Sequence, residues 1–151
     1  MLFRSQALDT ILRGISEAFD LSKEDPKTVA RYDTAPLMRP EDISRHWNNY
    51  KNYVDNGKTL GKLLLLSRRL CERGAGVVTV TTNFVWDMHA DVNNATVEEG
   101  MRYMGHPFDH AVSAFIEDLE ASARISQGFR HATNSRLCCC CTIAIASIPS
   151  D

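Results

Sequence analysis

The chain has 151 residues, 44% of them hydrophobic and 24% charged, with 17 basic and 19 acidic side chains and a formal charge of −2. That is ordinary globular composition at a length suited to one domain with a modest core. The near balance of charge argues against a nucleic-acid-binding module, which presents a basic face, and no apolar run approaches the ~20 residues that span a bilayer.

Leu8, Ile11, Leu12, Ile15 and Phe19 recur at helical spacing and predict an amphipathic helix over residues 5–20. The same stretch alternates charged and apolar groups and has no export-signal core. Asp25-Pro26 is a helix-start signal, and a short helix through Arg31 should follow. Pro36 and Pro40 mark a loop from Asp33 to Pro40. A polar, aromatic-bearing helix is expected from Glu41 to about Val54, then a turn at Asn56-Gly57. Within it, His46, Trp47, Tyr50 and Tyr53 read either as an aromatic binding face or as a half-buried packing face. Lys58 to Arg73 has the strongest helical pattern, with Leu60, Leu63, Leu64, Leu66, Leu70 and Cys71 along one side and Gly74 as C-cap. Cys71 reads as an inert core thiol.

Residues 76–82 are short, β-branched and bounded by glycine, which predicts a buried strand of a parallel sheet. Phe84 to Asn94 is a polar, aromatic loop. Thr96-Val97-Glu98-Glu99 is a capping box opening the next helix. That helix is expected to break at Gly105-His106-Pro107 and to resume through Phe108, Val112, Phe115, Ile116 and Leu119. A right-handed β-α-β unit then calls for a second buried strand. None starts soon after Glu120, although Ile143 to Ile148 is apolar enough. Strand 76–82 is therefore expected to lack a neighbour, with unpaired amides and uncovered apolar faces.

The composition changes at that point. Residues 1–120 hold 18 of the 19 acids, and residues 121–150 hold none. Four of the five cysteines form one block, Cys138-Cys139-Cys140-Cys141. Three readings compete: a metal site, a disulfide framework, and a tail that is not the natural continuation of the domain, such as a frame-shifted end. Adjacent thiols fit the first two poorly, since zinc ligands come as spaced pairs and neighbouring cysteines rarely reach each other. The division expected is therefore 1–120 as a partial domain and 121–151 as an atypical tail.

Ligands of open α/β sheets bind beyond the carboxyl ends of the strands. The loop after strand 76–82 is thus the candidate site. Asp87 and His89 supply a hard oxygen and an imidazole two residues apart, and Asp91 and Asn93 extend the donor set. Carboxylate plus histidine is a common start to a zinc, iron or manganese site, which needs further ligands. The plainer reading is a polar turn, because Asp, His and Asn hydrogen-bond their own backbone. Trp86 reads as a packing residue. Asp109 and His110 read as groups supporting the loop or as solvated helix residues. No G-x-S-x-G elbow, phosphate-binding loop or G-x-G-x-x-G is present, and Ser67 and Ser113 have no evident activating base.

Residues 61–80, with Ser67-Arg68-Arg69-Leu70 and Val77-Val78-Thr79-Val80, followed by Trp86-Asp87-Met88-His89 and Asn93, resemble a bacterial family. It is the domain of unknown function 1501 family, sulfatase-like and related to the alkaline phosphatase superfamily. Asp20-Leu21-Ser22-Lys23-Glu24 and Ala114-Phe115-Ile116-Glu117-Asp118-Leu119-Glu120 fit the same pattern, so the resemblance covers about residues 5–120. The family's G-E-F-G-R-T-P-like and G-R-D-H-W-like motifs are not found here. The resemblance implies an α/β chain, a helix-rich fragment of a sulfatase/alkaline-phosphatase-like parallel-sheet fold. It implies a relative that is a metal-dependent hydrolase of small-molecule sulfate or phosphate esters and is often exported. Asp87 and His89 would be metal ligands with Asn93 nearby, holding zinc, manganese or calcium. The chain alone is expected to lack that activity. The alternative is a non-enzymatic helical interaction module, in which the Asp87–His89 loop is a polar turn.

Overall fold

The computed structural model describes residues 14–73, 75, 77–82, 86, 88–129 and 142–147; for 122–129 and 142–147 the description is of the backbone. Three helices, α1 (Pro26–Tyr32), α2 (Tyr50–Glu72) and α3 (Val97–Phe129), and two strands, β1 (Val77–Thr82) and β2 (Thr142–Ser147), are joined by single 3₁₀ turns at Ile15–Phe19, Leu21–Lys23, Ala35–Leu37 and Pro40–Asp42. The chain is helix-rich.

The helix expected over 5–20 is not formed in its described part. Gly14 sits in the left-handed region at φ 71°, and Ile15–Phe19 is a 3₁₀ turn. Residues 5–13 lie outside the described residues. The Asp25-Pro26 signal holds: α1 starts with Pro26 in its first turn and runs one residue past the expected Arg31.

The helix expected from Glu41 begins only at Tyr50. The preceding chain is drawn sideways instead. The amides of Asn48 and Asn49 donate to the carbonyls of Val92 and Asn93 at 3.2 Å each, so they are not free for a helical ladder. Once started, α2 runs straight through Asn56-Gly57, where a turn was expected. Both residues are buried. A Cβ on Gly57 would collide with the tip of Met38, and one on Gly61 with the backbone carbonyl of Tyr32. These glycines mark close approach to neighbouring chain rather than a reversal; tertiary packing overrides the local turn signal.

α3 opens on the expected capping box. The amide of Glu99 donates to the Thr96 hydroxyl at 3.2 Å, and that hydroxyl donates to Glu99 Oε2 at 2.8 Å. The break expected at residues 105–107 does not occur, and α3 carries Pro107 in its interior. Proline removes the N–H that would bond the Tyr103 carbonyl, a cost of up to ~3 kcal/mol. Burial on both sides of the proline opposes that cost: Tyr103 and Met104 precede it, Ala111, Ala114 and Phe115 follow, and the proline ring itself is enclosed. The helix continues across residue 120 to Phe129.

β1 forms where expected but is half-buried. Val80 and Thr82 face inward, while Val77 is 67% exposed and Thr79 and Thr81 lie outside. The expectation that it lacks a neighbour is corrected: β1 pairs in parallel with β2, in register from Val77↔Thr142 to Thr82↔Ser147. This two-strand pair is the extent of the sheet among the described residues.

Two apolar clusters divide the interior. The first packs Tyr32, Leu60, Leu64, Leu65 and Val80 against Ala111, Ala114 and Phe115. The second joins Met38, Ile43 and Tyr53 to Met88, Ala95, Tyr103 and Met104. α2 and α3 contribute to both, so the two helices are the frame on which the loop after β1 is mounted.

Candidate functional site

The loop between β1 and α3 is held by its own polar groups. Asp91 Oδ1 accepts from the amides of Asn93 and Asn94, at 2.8 Å each. Those bonds hold the Asp91 carboxyl below the ordinary carboxylate range against a weaker upward push from desolvation, with the neighbouring His89 also favouring the charged form. Ala90 adopts a left-handed φ of 56°, and its amide donates to the Ala95 carbonyl at 3.1 Å. The loop is thereby closed on itself over residues 90–95.

A second set of bonds ties it to the start of α2. Asn48 Nδ2 donates to Asn93 Oδ1 at 2.8 Å, and Asn49 Nδ2 to Asn94 Oδ1 at 3.0 Å. Inside, the Ala95 amide donates to the hydroxyl of the fully buried Tyr53 at 3.0 Å. Met88 presses on Gly100, where a Cβ would displace its sulfur and methylene. Trp47, Tyr53 and Tyr103 form a ring cluster with centroids 5.9–6.4 Å apart. Of the two readings of Trp47, Tyr50 and Tyr53, the packing face is the one observed. Trp86 is likewise a packing residue, edge-on to Phe108 at 5.4 Å.

Among the expected ligands, Asp87 lies outside the described residues. His89 is exposed. Asn93 is half-buried and its side-chain oxygen already holds the Asn48 bond. His106 and Asp109 are exposed on α3, and His110 is half-buried with Nε2 enclosed and without a hydrogen-bond partner among the described residues. No group of three or more His, Cys, Asp or Glu side chains is assembled for a metal ion among the described residues. The geometry therefore closes residues 90–95 on themselves and ties their polar side chains to the start of α2.

A second polar constellation had no place in the sequence reading. Arg69, 4% exposed, donates from Nε to the Ala18 carbonyl at 2.8 Å and from a terminal nitrogen to those of Glu17 at 2.8 Å and Asp20 at 3.0 Å. Its other terminal nitrogen reaches Glu24 Oε2 at 2.6 Å. Arg68 pairs with Glu24 at 2.7 Å, with Glu72 at 2.7 Å and with Asp118 at 3.4 Å, and Asp118 also pairs with Arg31. Burial pushes the Glu24 carboxyl up, but the Arg69 hydrogen bond and the charges of Arg68 and Arg69 outweigh it and hold the group low. Tyr32, beside this network, is pushed up to about 12 by burial. In the structure Arg69 lies four residues after the buried Leu65, on the same face of the helix.

Three of the four segments that carry the family resemblance meet in this network, through Glu24, Arg68 with Arg69, and Asp118. Residues 3–127 match the model of a protein family of unknown function, DUF1501. No curated protein and no solved structure matches the chain.

Proposed function

Because the chain belongs to the DUF1501 family of proteins of unknown function, we propose that its helices are the scaffold of a metal-dependent sulfate or phosphate ester hydrolase and that the loop after β1 supplies metal ligands. The observation that carries this reading is the pinned loop at the end of a parallel strand, with exposed His89 and an ionised Asp91 held beside each other. Preorganised donors at a strand's carboxyl end are where such sheets place ligands. Asp87, His89 and Asn93 would bind zinc, manganese or calcium, which would polarise the ester oxygen of a small-molecule substrate. A catalytic zinc takes three protein ligands, so this loop is a partial site, and a nucleophile and the remaining ligands come from outside the described residues.

The test is calorimetric titration with zinc, manganese and calcium. Weak binding is expected, reduced at least about tenfold in His89→Ala and in Asp87→Ala, since each ligand is a large fraction of a small set. Equal affinity in both variants, or no binding, rejects the loop as a metal site. The second reading, a non-enzymatic helical interaction module, draws on Val97 and Met101, 64% and 49% exposed one turn apart on α3. It predicts a melting temperature indifferent to all three metals.

A further inference from the structure

Most of the polar contacts between the segment from Gly14 to Glu24 and α2 run to one side chain, Arg69. Three of its carbonyls, those of Glu17, Ala18 and Asp20, and its terminal carboxylate, Glu24, all accept from the guanidinium of Arg69. Arg69 is buried, and Ala18 has no exposed surface. Backbone bonds within the segment are short-range 3₁₀ contacts, among them Glu17 to Gly14, Asp20 to Glu17, Lys23 to Asp20 and Glu24 to Leu21, and its side-chain bonds are local too, from Ser22 to Asp20 and from Lys23 to Glu17. Such turns have little stability of their own. The segment begins at a glycine with positive φ and ends at the Asp25-Pro26 start of α1. It is therefore bounded by a glycine in the left-handed region at one end and by α1 at the other.

We infer that residues 14–24 form a strap that docks and releases as one unit, with Arg69 as the positioning residue that latches it. A planar guanidinium offers five donors in a fixed fork. Four of the bonds holding the strap share that one fork, so they are lost together. Leu21, half-buried against the first cluster, and the buried Ala18 give the docked state an apolar component. Arg68 also reaches Glu24, but touches none of the strap's carbonyls among the bonds described. Lysine cannot replace Arg69, because a single ammonium cannot satisfy three carbonyls and a carboxylate arranged around a plane.

Two measurements test this. In hydrogen exchange of the unaltered protein, the bonded amides of Glu17, Asp20, Lys23 and Glu24 should share one opening equilibrium, more frequent than that of the α2 interior. Graded, unrelated protection, or protection equal to that of α2, overturns the strap. In limited trypsin digestion, Arg69→Lys should raise cleavage after Lys23 by about tenfold or more relative to cleavage within α2, since charged hydrogen bonds are lost from the docked state alone. Unchanged cleavage after Lys23, or a parallel rise at every site, overturns the latch. Glu24→Gln keeps the three carbonyl bonds and should raise the same cleavage by a smaller factor; a factor equal to that of Arg69→Lys assigns the docking to the carboxylate and also overturns it.

Discussion

The two ends of the α2–α3 frame solve the same problem with different chemistry. Around the C-terminal half of α2, full charges are paired: three arginines, two glutamates and an aspartate bind the strap, α1 and α3 together. Around its N-terminal half, the loop after β1 is held by neutral amides, a tyrosine hydroxyl and a turn closed by Asp91. Both ends join segments distant in sequence: the charged end binds the strap, α1 and α3 to α2, and the neutral end ties one loop to the start of α2. The difference assigns stability to one end and precise local geometry to the other, which is where a ligand would be presented.

The two glycines of α2 sharpen this contrast most strongly. Gly61→Ala drives a methyl group into the Tyr32 carbonyl, which is backbone and cannot turn aside. A loss of about 3 kcal/mol is expected in denaturant unfolding. Gly57→Ala meets only the flexible end of Met38 and should cost no more than about 1 kcal/mol. Equal losses would mean that both ends are packed with the same rigidity. Tyr53→Phe comes next: it leaves the buried Ala95 amide without a partner and should cost about 2 kcal/mol, with faster exchange confined to residues 90–95.

Acid should separate the ends with smaller effects. Glu24 is held below its ordinary value, so the stability it contributes is present above pH 4.5 and is lost as pH falls through its lower folded value. Glu24→Gln should flatten that part of the stability profile while leaving the profile above pH 6 parallel to that of the unaltered protein. At the alkaline limit both ends respond, since burial raises Tyr53 and Tyr103 at the neutral end as well as Tyr32 at the charged end. Tyr32 ionises near 12 when folded against 10.0 ordinarily. Its contribution is complete below pH 10 and disappears as pH approaches 12. Ultraviolet titration should show the last tyrosine ionising together with unfolding, and Tyr32→Phe should remove that step.

The sequence revealed local devices better than packing. Pro26, the Thr96–Glu99 box and β1 are signalled by neighbours in the chain, and all three form. Asn56-Gly57 and Pro107 carry equally strong local signals, and both were overridden. One glycine admits Met38, and the proline ring is buried in a helix held by core contacts on either side. The partner of β1 lies 65 residues further along, from Val77 to Thr142; the apolar run from Ile143 to Ile148 was visible in the sequence, but its pairing with β1 was not. For the candidate site, the polar loop and its self-bonding were legible from Asp91, Asn93 and Asn94. The Arg69 latch was not, because three of its four acceptors are backbone carbonyls, which every residue type supplies.

The enclosure of Asn56-Gly57 also decides how this protein ages. In an exposed turn, the glycine nitrogen of such a pair attacks the asparagine amide and expels ammonia through a cyclic imide. Here Asn56 is 4% exposed, and the following nitrogen lies within α2, where the helix fixes its direction and engages its hydrogen. Attack requires that turn of helix to melt. Deamidation at Asn56 therefore works as a clock that runs only while α2 is open, and the deamidated fraction in a stored sample records the time its molecules have spent unfolded.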